Sequence, residues 1–305
     1  MKVLTNIITL SLFFMIVAGC SESTADEPLP GSSNSGLYSG NYYFTKLRTL
    51  PSLLDESSGL ILYDSLGWSF NDSGNDPVLY GFDLKSGNIV RQVNIEKAVN
   101  TDWEDITQDN QNIYIGNFGN NNGDRRDLKI YIINKNELSD SAVSSVPCDS
   151  INFTYSDQVN FEPANYDNSY DCEAFVAYKD SLYLFTKDWV NEITTMYSLP
   201  SKPGNYVARR IATYNTGGLV TGADFVAKDS LLVFSGYSKQ LLPFCYIFYD
   251  FPDAHFFSGQ HRKIILNDYW GSQTEGIAIQ SRDSVYFTSE NSVAARQSLF
   301  LIKFK

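Results

Sequence analysis

Apolar residues in this chain come in short runs, each closed by glycine, asparagine, aspartate or serine, and helical periodicity is nearly absent. Runs of this kind read as strands joined by turns and predict an all-β protein. Four segments repeat one pattern of acid or small residue, apolar run, polar turn and second apolar run. They are "EDITQDNQNIYIGN", "EAFVAYKDSLYLFTK", "ADFVAKDSLLVFSG" and "EGIAIQSRDSVYFTSE", with "SGLILYDSLGWSFNDSG" as a looser fifth copy. Placing Ser58, Glu104, Glu173, Ala223 and Glu275 in register gives intervals of 46, 69, 50 and 52 residues. That is the length of a four-stranded propeller blade.

Two further strand-like runs follow each of the first four copies, for example "VLYGFDL" and "IVRQVNI" after the first. The last copy has only "SLFLIKFK" before the chain stops, and "YYFTKLRTL" near Tyr43 is left over to complete it. The pattern therefore predicts a five-bladed β-propeller over residues 42–305, closed by an N-terminal strand. Six blades is the alternative, because the 69-residue interval has room for a degenerate one.

The N-terminus reads differently. Lys2 precedes an apolar run, Ile7 to Val17, that is too short for a stable membrane span. The run ends on "VAGC", which resembles the lipobox of bacterial lipoproteins. That resemblance implies a signal peptide over residues 1–19 and lipidation of Cys20. Glu22, Asp26 and Glu27 resemble the export signals of surface lipoproteins in some Gram-negative lineages, which implies an anchor at the outer membrane or cell surface. Residues 20–41, rich in Ser, Gly, Pro and acids, read as a tether reaching roughly 25 Å.

The net charge of −12 offers no footprint for nucleic acid or anionic lipid surfaces. It suits a monomeric body outside the cytoplasm, or one that binds cations. Cys148, Cys172 and Cys245 have neither metal-ligand spacing nor an even count, so no disulfide framework is read.

Strands in a blade run up and down, so the starts of first strands and the ends of second strands share one face. That face collects Glu56, Asp102, Glu104, Asp105, Asp171, Glu173, Asp224 and Glu275, with Asn71, Asp72, Asn117, Asn120, Asn121, Lys187 and Glu290. The opposite face receives plain turns such as "KDS" and "RDS". Two carboxylates about 6 Å apart repel by roughly 3 kcal/mol at an effective dielectric near 20. Protonation, a basic partner or a cation relieves this.

Carboxylates mixed with amide carbonyls form the hard-oxygen set that calcium prefers. The candidate Ca2+ ligands are Glu56, Glu104, Asn117, Glu173, Asp224 and Glu275. Trp103, Asn120, Asn121, Arg125, Lys187, Trp189, Trp270 and Glu290 are the candidate wall of a ligand pocket. His255 and His261 fall on outer strands or loops, which argues against zinc. A structural reading stands beside the functional one: the acids cap backbone amides of neighbouring blades, Trp103 wedges between blades, and Arg125 and Arg126 make salt bridges.

The signatures "NDSG", "DWEDI", "GNFGNNNGDRRDLKIY" and "DCEAF…LYLFTK" resemble a family of bacterial secreted or lipid-anchored β-propellers without an established activity. They are more distantly similar to phytase-like and lactonase-like propellers, and that similarity implies calcium on the axis. A binding module for a small ligand or glycan, with calcium, is the expected function. The alternatives are a metal-dependent ester or lactone hydrolase, a carboxylate-based glycosidase, and a scaffold in an outer-membrane assembly.

Overall fold

The computed structural model describes residues 35–305. Residues 1–19, read above as a signal peptide, Cys20 and most of the stretch read as a tether lie outside them. Among the described residues, no helix is long and apolar enough to cross a membrane.

The strands come in antiparallel meanders. After β1 (Tyr42–Thr49), the first meander is β2 (Ile61–Tyr63), β3 (Leu66–Ser69), β4 (Val78–Phe82) and β5 (Ile89–Ile95). The second is β6 (Trp103–Gln108), β7 (Asn112–Asn117) and β8 (Lys129–Asn134), followed by the two-residue β9 (Ser145–Val146) and then β10 (Asp149–Tyr155). β9 lies on the edge of β5, whereas β10 completes the second meander. The third is β11 (Asp171–Tyr178), β12 (Ser181–Lys187), β13 (Ile193–Pro200) and β14 (Gly204–Asn215). The fourth is β15 (Leu219–Val226), β16 (Leu231–Tyr237), β17 (Pro243–Tyr249) and β18 (Gln260–Ile265). The last, β19 (Thr274–Ser281), β20 (Ser284–Ser289) and β21 (Ser298–Phe304), takes β1 as its fourth strand, with Tyr42 opposite Phe304 and Thr49 opposite Ser298. β10 and β14 also pair in parallel, which fuses the outer edges of the second and third meanders.

The hydrophobic residues explain how the meanders are held. Each sheet is apolar on both faces, as strands sandwiched between neighbours must be. There is accordingly one apolar layer between each consecutive pair. Trp68, Phe70 and Val93 meet Trp103 and Ile115, and Phe118, Ile130 and Phe153 meet Phe175 and Leu184. Phe185 and Met196 meet Phe234 and Phe248, and Val233 and Ile247 meet Ile277 and Phe287. Leu299 and Tyr286 of the last meander meet Leu60 and Phe82 of the first, which closes the cycle. The backbones touch at that junction: a Cβ on Gly276 would lie 2.6 Å from the Ser58 carbonyl, so only glycine fits. This is the arrangement of a β-propeller.

The composition of residues 36–41 suggests tether, but the structure packs part of it onto the body. Ser35–Ser39 is a short helix, and Tyr38 is buried between Tyr249 and Phe304, at ring distances of 4.9 and 5.1 Å. Its hydroxyl donates to the Arg282 carbonyl at 2.7 Å, and Arg262 donates to the Gly40 carbonyl at 2.7 Å. One aromatic residue in a Ser/Gly background leaves no periodic signal, which is why composition alone misplaces the boundary. Tyr38→Ala is expected to lower stability by about 3 kcal/mol, the usual cost of truncating a buried aromatic. Urea denaturation checks it.

Candidate functional site

The inner strands carry a local irregularity that the repeat pattern does not display. In β6, Trp103 pairs with Asn117 and Asp105 with Gly116, leaving Glu104 as an extra residue. In β11, Cys172 pairs with Thr186 and Ala174 with Phe185, leaving Glu173. β15 skips Thr221 in the same way, and β19 breaks register between Thr274 and Ile277, around Glu275. A β-bulge re-aims the side chain of its extra residue. Here the bulges turn Glu104, Glu173 and Glu275 into one cavity on the axis.

That cavity, of about 170 Å³, is lined by residues of every meander. Asp72 follows β3, Glu104 and Asn121 come from the second meander, and Tyr166 arrives from the loop before β11. Glu173, Lys187 and Trp189 belong to the third, Tyr237 ends β16, and Gln273, Glu275 and Glu290 flank the inner strands of the last. Asp102 stands beside this group: one oxygen each of Asp72, Asp102 and Glu104 lies within 4.8 Å of the other two. Gly119 permits the approach, because a Cβ there would collide with both Glu104 and Asp102.

Lys187 is the only cation lining the cavity among the described residues. It is buried, 3.0 Å from Glu173 Oε1 and 3.3 Å from the Tyr237 hydroxyl, with its ammonium 4.6 Å from the centre of the Trp189 ring. Burial works against its charge, but Glu173 and the surrounding acids raise it well above the ordinary lysine value. It stays protonated.

The carboxyls are raised too, each chiefly because burial penalises its charge. Asp72 rises to about 6, and Asp102 and Glu275 to about 7. Glu290 rises to about 9, with the charges of Glu275 and Asp72 adding to burial. Glu104 rises well above the usual range through burial and then the charge of Glu173. Glu275 is buried, and its Oε2 has no hydrogen-bond partner among the described residues. A buried carboxylate oxygen left unpaired is costly.

The structure divides the expected residues. Glu104, Glu173, Glu275, Asn121, Lys187, Trp189 and Glu290 line the cavity. The others have structural partners instead. Glu56 is exposed and accepts from Asn75 Nδ2 at 2.6 Å, and Asn117 accepts from the Asp102 amide at 2.9 Å. Asp224 accepts from the amides of Phe225 and Ile279, at 2.8 and 2.7 Å, and so braces β19 rather than facing the cavity. The pairing gives Thr221, not Ala223, the position of Glu104, because a 3-10 turn at Ala227–Asp229 displaces the fourth copy. Thr221 donates to the Thr274 carbonyl at 2.6 Å.

Trp103 is buried against Phe70 and Tyr131, its Nε1 donating to the Val99 carbonyl. Asn120 accepts from the Arg125 amide, while the Arg125 guanidinium donates to the Gly119 carbonyl at 2.7 Å and pairs with Asp127. Arg126 lies over the Phe161 ring and makes no salt bridge among the described residues. Trp270 is 62 % exposed and donates to the Gln240 carbonyl, away from the cavity. Tyr166, Tyr237 and Gln273 are the lining residues that sequence reasoning misses. Tyr237 had a signal, since it ends the second strand of its meander as Lys187 does. Tyr166 had none.

Asp105 is used differently. Its Oδ2 accepts from the amides of Phe175 and Ala223, at 3.0 and 3.1 Å, and Oδ1 from that of Ile106 at 2.8 Å. One carboxylate thus ties the inner strands of three meanders.

No family model matches the chain, and no curated protein matches it in sequence. Among solved structures, the chain is similar to the PQQ-bound form of an aldose sugar dehydrogenase from Streptomyces coelicolor. The identity is 10 %, the coverage 87 % of this chain and 99 % of that one, and the TM-score 0.48.

Proposed function

We propose that this protein is a five-bladed propeller that binds a divalent cation, calcium by its ligand chemistry, together with a small ligand in the axial cavity. The observation that carries the reading is the charge imbalance of a buried site. Asp72, Asp102, Glu104, Glu173, Glu275 and Glu290 gather around one lysine, and Glu275 Oε2 has no hydrogen-bond partner among the described residues. At an effective dielectric near 20, two charges 4.8 Å apart repel by about 3 kcal/mol. A cation among Asp72, Asp102 and Glu104 would remove that cost, and their spacing suits oxygens sharing one calcium ion, with water or a ligand hydroxyl completing the shell. A polyanionic substrate such as a phosphate ester has no place in such a pocket. Lipidation of Cys20 would hold this face outside the cytoplasm.

Calorimetry tests it. Calcium should give a saturable heat in the wild type and none in Asp102→Asn/Glu104→Gln. Absence of binding in the wild type would remove the cation.

The pH dependence has a defined sign. Asp72, Asp102, Glu275 and Glu290 have folded values above their unfolded ones, so without metal the folded state binds more protons. Apo stability is then greatest near pH 4 and falls as pH rises toward about 9. Calcium must displace those protons, so its affinity rises from about pH 6 to about 9, with proton release visible in buffers of different ionisation heat. A calcium affinity that does not change over this range would contradict the assignment.

A further inference from the structure

Resting on that reading, we infer that the small ligand is a neutral, hydroxyl-rich ring, a monosaccharide or cyclic polyol, seated against Trp189 and Tyr166. The cavity decides the class by its hydrogen-bonding groups. Asp72, Glu104, Glu173, Glu275 and Glu290 offer acceptor oxygens, and of these Glu275 Oε2 has no hydrogen-bond partner among the described residues. Such a lining, part carboxylate and part carboxylic acid, calls for a ligand whose groups both donate and accept, as hydroxyls do. An anion meets the charge of the carboxylates, while an apolar molecule would bury every carboxyl unpaired.

An organic ammonium also brings donors, but its place is taken. The Lys187 ammonium lies 4.6 and 5.4 Å from the ring centres of Trp189 and Tyr237, and 3.0 Å from Glu173. A second ammonium on those rings would stand beside the first. Hydroxyl groups meet no such repulsion.

The walls supply the remaining requirement. The Tyr166 ring lies 4.5 Å from that of Trp189, and Tyr166 remains 53 % exposed at the mouth. Its backbone sits at φ 54°, held by a hydrogen bond from its amide to the Asn121 carbonyl at 3.0 Å. Trp189 is fixed by its Nε1 donating to Asp171 Oδ2 at 2.8 Å. The two rings, tilted 59° to one another, are aromatic parts of the cavity wall against which the C–H face of a ring can rest while its hydroxyls meet the acids. A volume of about 170 Å³ is that of five or six waters, at ~30 Å³ each, so it takes one ring and not a chain of them.

The test is calorimetry and saturation-transfer NMR on the purified protein, with and without calcium, using glucose, galactose, mannose, xylose and myo-inositol against putrescine and choline. The expected result is saturable binding of at least one neutral ring and of neither amine. Tyr166→Ala and Trp189→Phe should weaken it by about ten-fold or more, whereas Trp270→Ala should leave it within about two-fold. Amine binding in place of sugar binding would overturn the inference, as would no binding by any neutral ring or an equal loss in Trp270→Ala. If sugar binds and calcium does not, the cation reading fails and this one stands. If calcium binds and no neutral ring does, the reverse holds.

Discussion

Asp105→Ala is expected to lower stability by roughly 4–6 kcal/mol, the largest effect of any single change outside the apolar layers. The substitution takes the acceptor from three buried amides at once, those of Ile106, Phe175 and Ala223. Each buried donor left unpaired costs about 1–3 kcal/mol, and no side chain of this size fills the gap. Burial raises Asp105 well above the usual carboxylate range, against the pull of the three amides. Asp105→Asn keeps one acceptor oxygen and should therefore lose less than half as much. Denaturant titration measures both. Hydrogen exchange locates the damage: the Phe175 and Ala223 amides should lose protection first in Asp105→Ala. Equal losses in the two variants would mean that Asp105 acts through packing rather than through its acceptors.

Lys187→Met should lower stability by about 3–5 kcal/mol near pH 8, the range for removing one partner of a buried ion pair. The methionine preserves bulk, so the loss reports charge. Glu173 is left without the ammonium 3.0 Å away, and Glu275 without the strongest positive charge near it. Protonation cures this, so the difference from wild type should shrink by more than half at pH 5. Calcium should recover part of it at pH 8. An equal loss at both pH values would show that the lysine matters for its shape alone.

The meanders were readable because a strand buried on both faces has to be apolar throughout, and "AFVA", "DFVA" and "GIAI" show that directly. The gathering of acids on one face followed from strand direction alone. The bulges were not readable. Glu104 and Glu173 precede ordinary strand sequence, and nothing in "WEDI" or "CEAF" marks one residue as extra. The cost of missing them appears at Asp224, which sits three positions beyond Thr221 and therefore faces differently. Asp105 sits next to Glu104 in the motif, and the bulge gives the two acids opposite tasks: one lines the cavity, the other ties the inner strands of three meanders together. Tyr166 reaches the site from a loop with no periodic pattern, and only the fold of residues 156–170 over Asn121 and Asn122 brings it there.

The pairing of β1 with β21 bears on how such a molecule is made. A ribosome or a secretion channel releases the chain from its N-terminal end, so β1 emerges first and its partner last. Until residues 298–304 arrive, the ring has a gap, and the edge of β1 waits with its backbone groups unpaired. Tyr38 and the short helix that carries it wait as well, because Tyr249 and Phe304 form the seat of the Tyr38 ring. Assembly therefore cannot finish domain-fashion as the chain appears; it ends with a single late clasp. A truncation of only the last few residues should then fail as a whole molecule, leaving a species prone to join edges with its own copies.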